Sequence, residues 1–333
     1  MTTLLRSTPG GAGPVTARAP RPVALALALG TVYVVWGSTY LAIKVGIETI
    51  PSLLLAAVRF LVAGVALYAV ATRVGDRVGD RPTRAHWREA FVLGAAMLLA
   101  GNGFVTVAEE RLDSGIAALL VAMVPLWMAV LDRALFGARL SRLAVVGLAL
   151  GFVGVAVLID PFGGGQGPAG IHVPSALMIL AGSASWAYGS LRARESVMPT
   201  RPLVSTAMQM IAAGSMFVVL SVLRGELRGF AWSEVSAASA GALLYLIVAG
   251  SLVAFSAYVW LIKNAPAPIV ATYAYVNPVI AVGLGALVLD EAVGLRNVVA
   301  GAIIVAGVAL IIRARARTGS GAAVLRRLRQ SAP

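Results

Sequence analysis

WGSTYLAIKVGIETIPSLLLAAVRF, residues 36–60, is the stretch that decides the fold. It predicts the end of one apolar helix, a short turn, and the start of a second apolar helix. Both helices are apolar enough to lie in lipid, yet the stretch contains the cations Lys44 and Arg59. Because ionised groups within a bilayer are rare and costly, each cation is a hypothesis for a functional site. Trp36 and Tyr40 share one helix face with Lys44, at spacings of four residues, and such a face is typical of a cavity wall.

The composition predicts a polytopic membrane protein. Of the 333 residues, 59% are hydrophobic and 12% are charged, whereas soluble domains carry about 25% charged residues. The formal charge of +13 does not indicate nucleic-acid binding, because the basic residues occupy short segments between apolar runs. The chain has no cysteine and its two histidines lie far apart in predicted loops, so we predict no metal site and no cofactor.

Ten apolar segments approach the length of about 20 residues that a membrane-spanning helix needs. We predict an all-α membrane protein with ten transmembrane helices, because backbone polar groups in lipid must be satisfied within each segment. A disordered tail, 1–22, precedes the spans and a basic tail, 314–333, follows them. The predicted spans are 23–46, 52–72, 89–108, 115–135, 142–159, 174–192, 203–222, 237–262, 268–289 and 294–312.

The charges of the connecting segments predict the orientation. With the N-terminus in the cytoplasm, the inner segments hold 21 of the 27 basic residues, the outer loops hold four, and Lys44 and Arg59 are the other two. The outer loops are acidic instead, with Glu109, Glu110 and Glu291 among their residues. We therefore predict a multi-pass protein of the cytoplasmic (plasma) membrane with both termini in the cytoplasm.

The chain also repeats itself at a nearly constant offset. Shifted by 150, Leu53–Gly64 overlies Leu203–Gly214. Shifted by 153, Ala144–Ile159 overlies Asn297–Ile312 with seven of sixteen positions identical. Five spans in each repeat is an odd number, so the halves enter the membrane in opposite directions, as in secondary transporters. The predicted repeats, each of five helices, are residues 23–160 and 174–313.

Several segments resemble the EamA-type members of the drug/metabolite transporter (DMT) superfamily. They are WGSTYLAIKVGIETIP (36–51), LLLAAVRFLVAG (53–64), GNGFVTVAEERLDSGIAALLVAMVPLW (101–127) and, for the second repeat, ATYAYVNPVIAVGLGALVLDE (271–291). The similarity covers about residues 25–312. It implies ten helices, a central cavity between the halves, and export of small metabolites or drugs. Ala138 replaces a Glu that the family often carries after the fourth helix, whereas the second repeat keeps Glu291.

Arg59 is the leading candidate for substrate contact. It lies about eight residues, or roughly 12 Å, into the second helix, so its side chain would need that whole length to reach the surface. It either contacts an anion or carboxylate in the cavity or ties helices together through carbonyl oxygens. Its repeat mate is the uncharged Gln209. Lys44 lies closer to the outer surface and either lines the cavity or extends to the interface.

Other polar and aromatic residues are candidates for the cavity wall. Asn102, between two glycines, supplies a donor and an acceptor and either contacts substrate or serves helix packing. Pro125 and Pro278 interrupt the hydrogen-bond ladders of the fourth and ninth helices and act either as hinges or as static kinks. Some aromatic candidates line the cavity and others pack as ordinary interface residues; they are Trp127, Trp186, Tyr188, Tyr258, Tyr273 and Tyr275.

These features predict a secondary-active or facilitative transporter that works by alternating access and is not an enzyme. We expect it to export a small amphipathic metabolite, such as an amino acid or related compound, or a drug. Its expected partners are that substrate and the lipid bilayer, with a homo-oligomer left open. The sequence contains no Walker motif to indicate ATP-driven transport. No Asp or Glu lies deep in a predicted span, so a proton-coupled mechanism lacks its usual carrier.

Two alternatives belong to other classes. A membrane enzyme that acts on lipid would need a nucleophile–base pair or a metal cluster, and neither HExxH nor GxSxG occurs in the sequence. A non-transporting sensor or assembly subunit would not need two matched halves.

Overall fold

A computed structural model describes residues 22–73, 82–159, 171–193, 195–265 and 267–330. These residues form helices, and no β-strand lies among them. Within the same ranges, eight helices are long and apolar enough to cross a membrane. The predicted tail 1–22 lies outside the described residues except for Pro22. The helices that build the bundle are α1 (Pro22–Gly46), α2 (Ser52–Arg73), α3 (Arg84–Ala108), α4 (Ser114–Phe136), α5 (Arg142–Ile159), α6 (Val173–Arg192), α7 (Pro202–Arg224), α8 (Ala237–Leu261), α9 (Tyr273–Val288) and α10 (Leu295–Gln330).

A helix lies at each predicted segment, but α6 and α9 are not among the eight candidate spans. α3 begins earlier than predicted because Thr83 caps it: Thr83 Oγ accepts from His86 N at 3.2 Å, and His86 Nδ1 accepts from Thr83 N at 3.3 Å. α9 has 16 residues because a turn at 271–272 separates it from the short helix Ala267–Val270. α10 continues to Gln330, through most of the segment predicted as a tail.

Two helices contain wide, π-helical segments at corresponding places in the repeat. In α3 the segment is Gly94–Asn102, and in α8 it is Leu246–Val253. Each contains a glycine followed by a polar residue, Gly101–Asn102 in one and Gly250–Ser251 in the other. π-Helical turns are rare and occur frequently at functional sites. These two segments are therefore the first structural indication of where a site lies.

Equivalent helices of the two halves pack against each other. α2 crosses α7, and α5 crosses α10. At the first crossing, a Cβ on Gly64 or Gly214 would lie 2.9 or 2.8 Å from a backbone nitrogen of the opposite helix. At the second, a Cβ on Gly147 would lie 2.8 Å from Gly307 O, and one on Gly307 would lie 2.7 Å from Gly147 O. Both crossings thus depend on glycine, because small residues let helices in a membrane approach closely.

The remaining contacts interleave the two halves. α1 packs against α8 and α9, while its repeat mate α6 packs against α3 and α4. Most buried apolar residues belong to two large clusters, one around Leu126 and Ile304 and the other around Phe60 and Phe217. Each cluster draws side chains from both halves, so the halves share one folded unit rather than forming two separate cores.

Carboxylates from the second half complete helix starts in the first. Glu226, just after α7, accepts hydrogen bonds from Leu53 N at 3.3 Å and Leu54 N at 2.9 Å, at the start of α2. Glu291, after α9, accepts from Ser114 N at 2.7 Å and Gly115 N at 3.1 Å, at the start of α4. These bonds satisfy backbone donors that have no partner within their own helices, and the anions lie at the favourable end of each helix dipole.

The glycine crossing yields a stability prediction. Gly307→Ala is expected to lower the free energy of unfolding by about 1–3 kcal/mol, the usual cost of overpacking, because the added methyl group meets Gly147 O and Gly151 N, each at 2.7 Å. Gly283→Ala is the matched control, since a Cβ there meets nothing within 4 Å. Thermal unfolding of both variants in detergent measures the difference, and equal loss in the two would contradict the close crossing.

Candidate functional site

A cavity of about 120 Å³ lies at the centre of the bundle, and α1–α4 and α6–α9 all contribute to its wall. One water-sized sphere occupies about 10–15 Å³, so there is room for several waters or a small organic molecule. Apolar and aromatic side chains form most of the wall around a few polar groups, as in other small-molecule sites. The residues predicted from sequence that line it are Trp36, Tyr40, Arg59, Asn102, Trp186, Tyr273 and Pro278.

Two tryptophans occupy equivalent positions on this wall. Trp36 in α1 donates its indole N–H to Gly250 O at 3.3 Å. Trp186 in α6 lies over Gly101, where a Cβ would be 2.8 Å from Trp186 Cε3. Each indole therefore lies against the glycine in the π-helical segment of the opposite half. A side chain larger than hydrogen at Gly101 would displace the ring that forms the wall.

Arg59 brings a cation to the cavity. The residue is 7% exposed, and its guanidinium lies 4.8 Å from the centroid of the Phe60 ring. Arg59 Nε donates to Ser251 Oγ at 3.1 Å, so the π-helical segment of α8 positions the group. Among the described residues, neither terminal nitrogen of the guanidinium has a protein acceptor. Those donors are available to an anion in the cavity.

The wall also contains two polar residues that are not among those predicted from the sequence. Ser183 in α6 and Asn277 in α9 line the cavity, and both are buried. In the described part of the chain, Ser183 Oγ and Asn277 Oδ1 have no hydrogen-bond partner. Leaving such an atom unpaired costs about 1–3 kcal/mol, which favours a ligand or water as its partner. The sequence contains two features that could have identified these residues. Asn277 directly precedes Pro278, and Ser183 lies three residues before Trp186, on the same helix face.

Some candidates lie behind the wall rather than on it. The Tyr258 ring packs against Trp36 and Tyr273, with centroids 4.9 and 5.8 Å away, so it supports two residues that do line the cavity. Gln209 turns back along its own helix, where Nε2 donates to Ser205 Oγ at 3.3 Å. The repeat therefore places a charged group on the cavity wall from α2 alone, and α7 contributes Met210 instead.

The other candidates lie elsewhere in the bundle. Trp127 meets Phe152 edge to face at 5.5 Å, and its buried Nε1 has no partner among the residues described. Tyr188 is 42% exposed, and Tyr275 is partly buried against the apolar core. Pro125 is the second residue of the helical segment Val124–Phe136, which follows a turn within α4. A proline in the first turn removes no helical hydrogen bond.

Lys44 lies beyond the wall, at the end of the bundle where α1 ends and α2 and α4 begin; we call this the Lys44 end. Its ammonium donates to Glu109 O at 2.7 Å and to Leu112 O at 2.9 Å, just past the end of α3. A cation there satisfies terminal carbonyl groups and complements the helix dipole. The sequence predicts Glu109 in an outer loop, but the structure buries it completely.

A polar network at the Lys44 end joins the two halves. Arg224 pairs with Glu110 through two hydrogen bonds, each 2.9 Å long, and Ser52 Oγ donates to Glu110 at 2.6 Å. Partial burial raises the pKa of the Glu110 carboxyl, but the hydrogen bonds from Arg224 and Ser52 outweigh it and lower the pKa below its ordinary value. The charged form of Glu110 is therefore the one that holds this end together.

The fold and the cavity define a class of multi-pass membrane proteins that hold a small molecule between two interleaved halves. The chain belongs to the EamA-like transporter family, whose model matches residues 23–160 and 173–313. It is a membrane transporter, and the resemblance seen in the sequence is confirmed.

Named relatives agree with this assignment. The chain is 38% identical over 266 residues to the uncharacterized inner membrane transporter YedA of Escherichia coli K12, covering 78% of this chain and 80% of YedA. It is 28% identical over 267 residues to a probable amino-acid metabolite efflux pump of the same strain, covering 78% and 85% of the two chains. It is 25% identical over 299 residues to the uncharacterized transporter YvbV of Bacillus subtilis, covering 90% and 94%. A crystal structure with 23% identity covers 87% of this chain and 96% of its own, with a TM-score of 0.59, and shows a similar fold.

The network at the Lys44 end predicts a pH-dependent contribution to stability. Because the pKa of Glu110 is lowered in the folded state, its stabilisation is present above the ordinary Glu value of about 4.3 and is lost as the pH falls through the lowered pKa. Both partners are partly exposed, so Glu110→Gln is expected to cost roughly 0.2–1 kcal/mol at neutral pH.

The difference in melting temperature between the wild type and Glu110→Gln, followed from pH 7 downwards, measures this contribution. We expect a constant difference near neutral pH that shrinks in acid. A difference that grew in acid would contradict the assignment.

Proposed function

We propose that this transporter exports a small amphipathic metabolite that carries a carboxylate, an amino acid or related compound, or a drug of that character, across the cytoplasmic membrane. The observation that supports it most is Arg59, which lines the cavity and whose terminal guanidinium nitrogens have no protein acceptor in the described chain. A buried cation is costly unless it is paired. A substrate carboxylate supplies that partner in the two-pronged geometry that guanidinium favours.

The rest of the wall fits the rest of such a substrate. The unpaired oxygens of Ser183 and Asn277 are acceptors for a substrate amino group. Trp36, Trp186 and Tyr273 offer apolar faces to a side chain. One relative, 28% identical, is named a probable amino-acid metabolite efflux pump, which supports the same substrate class.

We propose alternating access as the mechanism, between inverted repeats of five helices at residues 23–160 and 174–313. The ten spans of this scheme include α6 and α9. The glycine crossings of equivalent helices and the paired tryptophans support a two-fold arrangement around the cavity. A turn interrupts α4 directly before Val124, and Pro278 lies inside α9, where it lines the cavity; we assign hinge roles to Pro125 and Pro278.

Arg59→Gln tests the carboxylate contact. The variant places at position 59 the residue type of the repeat mate, Gln209. It should weaken binding of a carboxylate substrate by about 1.5–3 kcal/mol, or about tenfold to 150-fold, which is the range for a charged hydrogen bond. Arg59→Lys keeps the charge but loses the planar guanidinium, so its affinity for the substrate should lie between those of the wild type and Arg59→Gln. The substrate is first found by counterflow of amino acids in proteoliposomes, and Kd is then measured on purified protein.

The discriminating comparison pairs each amino acid with its amide, which lacks the carboxylate charge. Amides should lose little affinity in Arg59→Gln. Gln209→Ala is the control, because that side chain does not line the cavity, and its Kd should match the wild type. Equal losses for acids and amides would show instead that Arg59 acts by tying helices together.

The orientation with both termini in the cytoplasm is testable because the chain has no native cysteine. Ser141 precedes α5 and Ser233 lies between α7 and α8, and both are exposed. In intact cells, Ser233→Cys should react with a membrane-impermeant maleimide, whereas Ser141→Cys should react only after permeabilisation. The reverse labelling pattern would show that the orientation is inverted.

A further inference from the structure

Glu109 is a buried acid that the proposed carboxylate contact does not use. Its residue exposure is 0%, and within the described ranges neither carboxylate oxygen has a hydrogen-bond partner. Water cannot reach the group to replace those bonds. Burying an ionised carboxylate without partners is very costly, so such a group takes up a proton instead.

The position of Glu109 on its helix favours the protonated form as well. It directly follows Ala108, the last residue of α3, where the helix dipole is negative. One turn earlier on the same face, Val105 lines the cavity. Glu109 therefore lies at the Lys44 end, one helical turn from a residue of the cavity wall.

The charged groups around Glu109 come from three other parts of the bundle. Lys44 in α1, Arg59 in α2 and Glu291 after α9 all act electrostatically on it, and Tyr40 in α1 is a further neighbour. Burial raises the pKa of the Glu109 carboxyl well above its ordinary value; Lys44 and Arg59 oppose this and Glu291 adds to it.

Two of these neighbours already have other partners. The Lys44 ammonium is bonded to main-chain oxygens, and the Glu291 carboxylate is bonded to the amides that start α4. Arg59 differs, because its terminal nitrogens have no acceptor in the described residues. Of the two cations, it is the one free to respond both to Glu109 and to the cavity.

We infer that Glu109 is a proton-binding site linked to the Arg59 cavity, so that an anion bound at Arg59 and a proton bound at Glu109 stabilise each other. An ionised Glu109 competes with an anionic ligand for the field of the guanidinium, and protonation removes that competition. The linkage is reciprocal: an anion bound at Arg59 strengthens proton binding at Glu109 by the same factor by which protonation of Glu109 strengthens anion binding. The substrate half of this linkage rests on the proposed function, whereas the proton site does not.

The test uses the purified full chain without ligand. Infrared difference spectra follow the C=O stretch of a protonated carboxyl group from acidic to alkaline pH in the wild type, Glu109→Gln and Glu110→Gln. We expect a band that persists at neutral pH in the wild type and in Glu110→Gln but is missing in Glu109→Gln. Glu110 is the matched control, because it is the adjacent carboxyl and is paired with Arg224. A band that is absent at neutral pH, or retained in Glu109→Gln, would overturn the proton site.

A fourth protein, Arg59→Gln, tests the linkage without any substrate. Removing an opposite charge that acts on a carboxyl group strengthens proton binding by that carboxyl group. The band should therefore persist to higher pH in Arg59→Gln than in the wild type. An unchanged titration would overturn the linkage even if the proton site stands. Because no substrate is present, this outcome is independent of whether amino acids and their amides differ in binding.

Discussion

Helices embedded in lipid gain little from apolar contact alone, since the surrounding solvent is equally apolar, and this bundle therefore depends on close approach. Glycine permits that approach wherever equivalent helices of the two halves meet. Gly64 and Gly214 bring α2 onto α7, and Gly147 and Gly307 bring α5 onto α10. With these helix pairs in place, the space left along the centre becomes the cavity.

The same logic shapes the cavity wall. The π-helical segments of α3 and α8 widen each helix locally. Gly101 leaves room for the Trp186 indole of the opposite half, and Gly250 leaves room for the side chains of Thr39 and Arg59. The backbone geometry of each segment thus places the polar residue that follows the glycine on the cavity wall. Asn102 arrives in this way from one half, and Ser251 from the other.

The charged side chains near the cavity do not follow the symmetry of the two repeats. Arg59 faces the cavity while its repeat mate Gln209 folds back on its own helix, so a nearly symmetrical frame carries an asymmetrical field. In the proposed mechanism such a frame lets the two halves exchange conformations, whereas Arg59 gives a bound carboxylate one orientation. The buried Glu109 adds a second ionisable group, one helical turn from the cavity-lining Val105.

Much of this could be predicted from sequence, because membrane helices are encoded by length and hydropathy and the repeat by offset. Arg59, Asn102 and Trp186 stand out as polar or bulky residues within apolar runs. Glu109 could not be found in this way, since its burial depends on how the segment after α3 folds between α1, α2 and α4. Ser183 and Asn277 carry no charge, and their unpaired oxygens become evident only when neighbouring helices are in place. The turn that shortens α9 likewise has no strong signal in composition.

The capping carboxylates have a consequence for the order of assembly. α2 and α4 belong to the half that is synthesised first, but Glu226 and Glu291, which satisfy their first amides, belong to the half that is synthesised last. The early half therefore emerges with two helix starts whose backbone donors lack their final partners. The start of α4 therefore gains its capping carboxylate late in biogenesis. Glu291 can bind the first amides of α4 only after α1 to α9 have been synthesised.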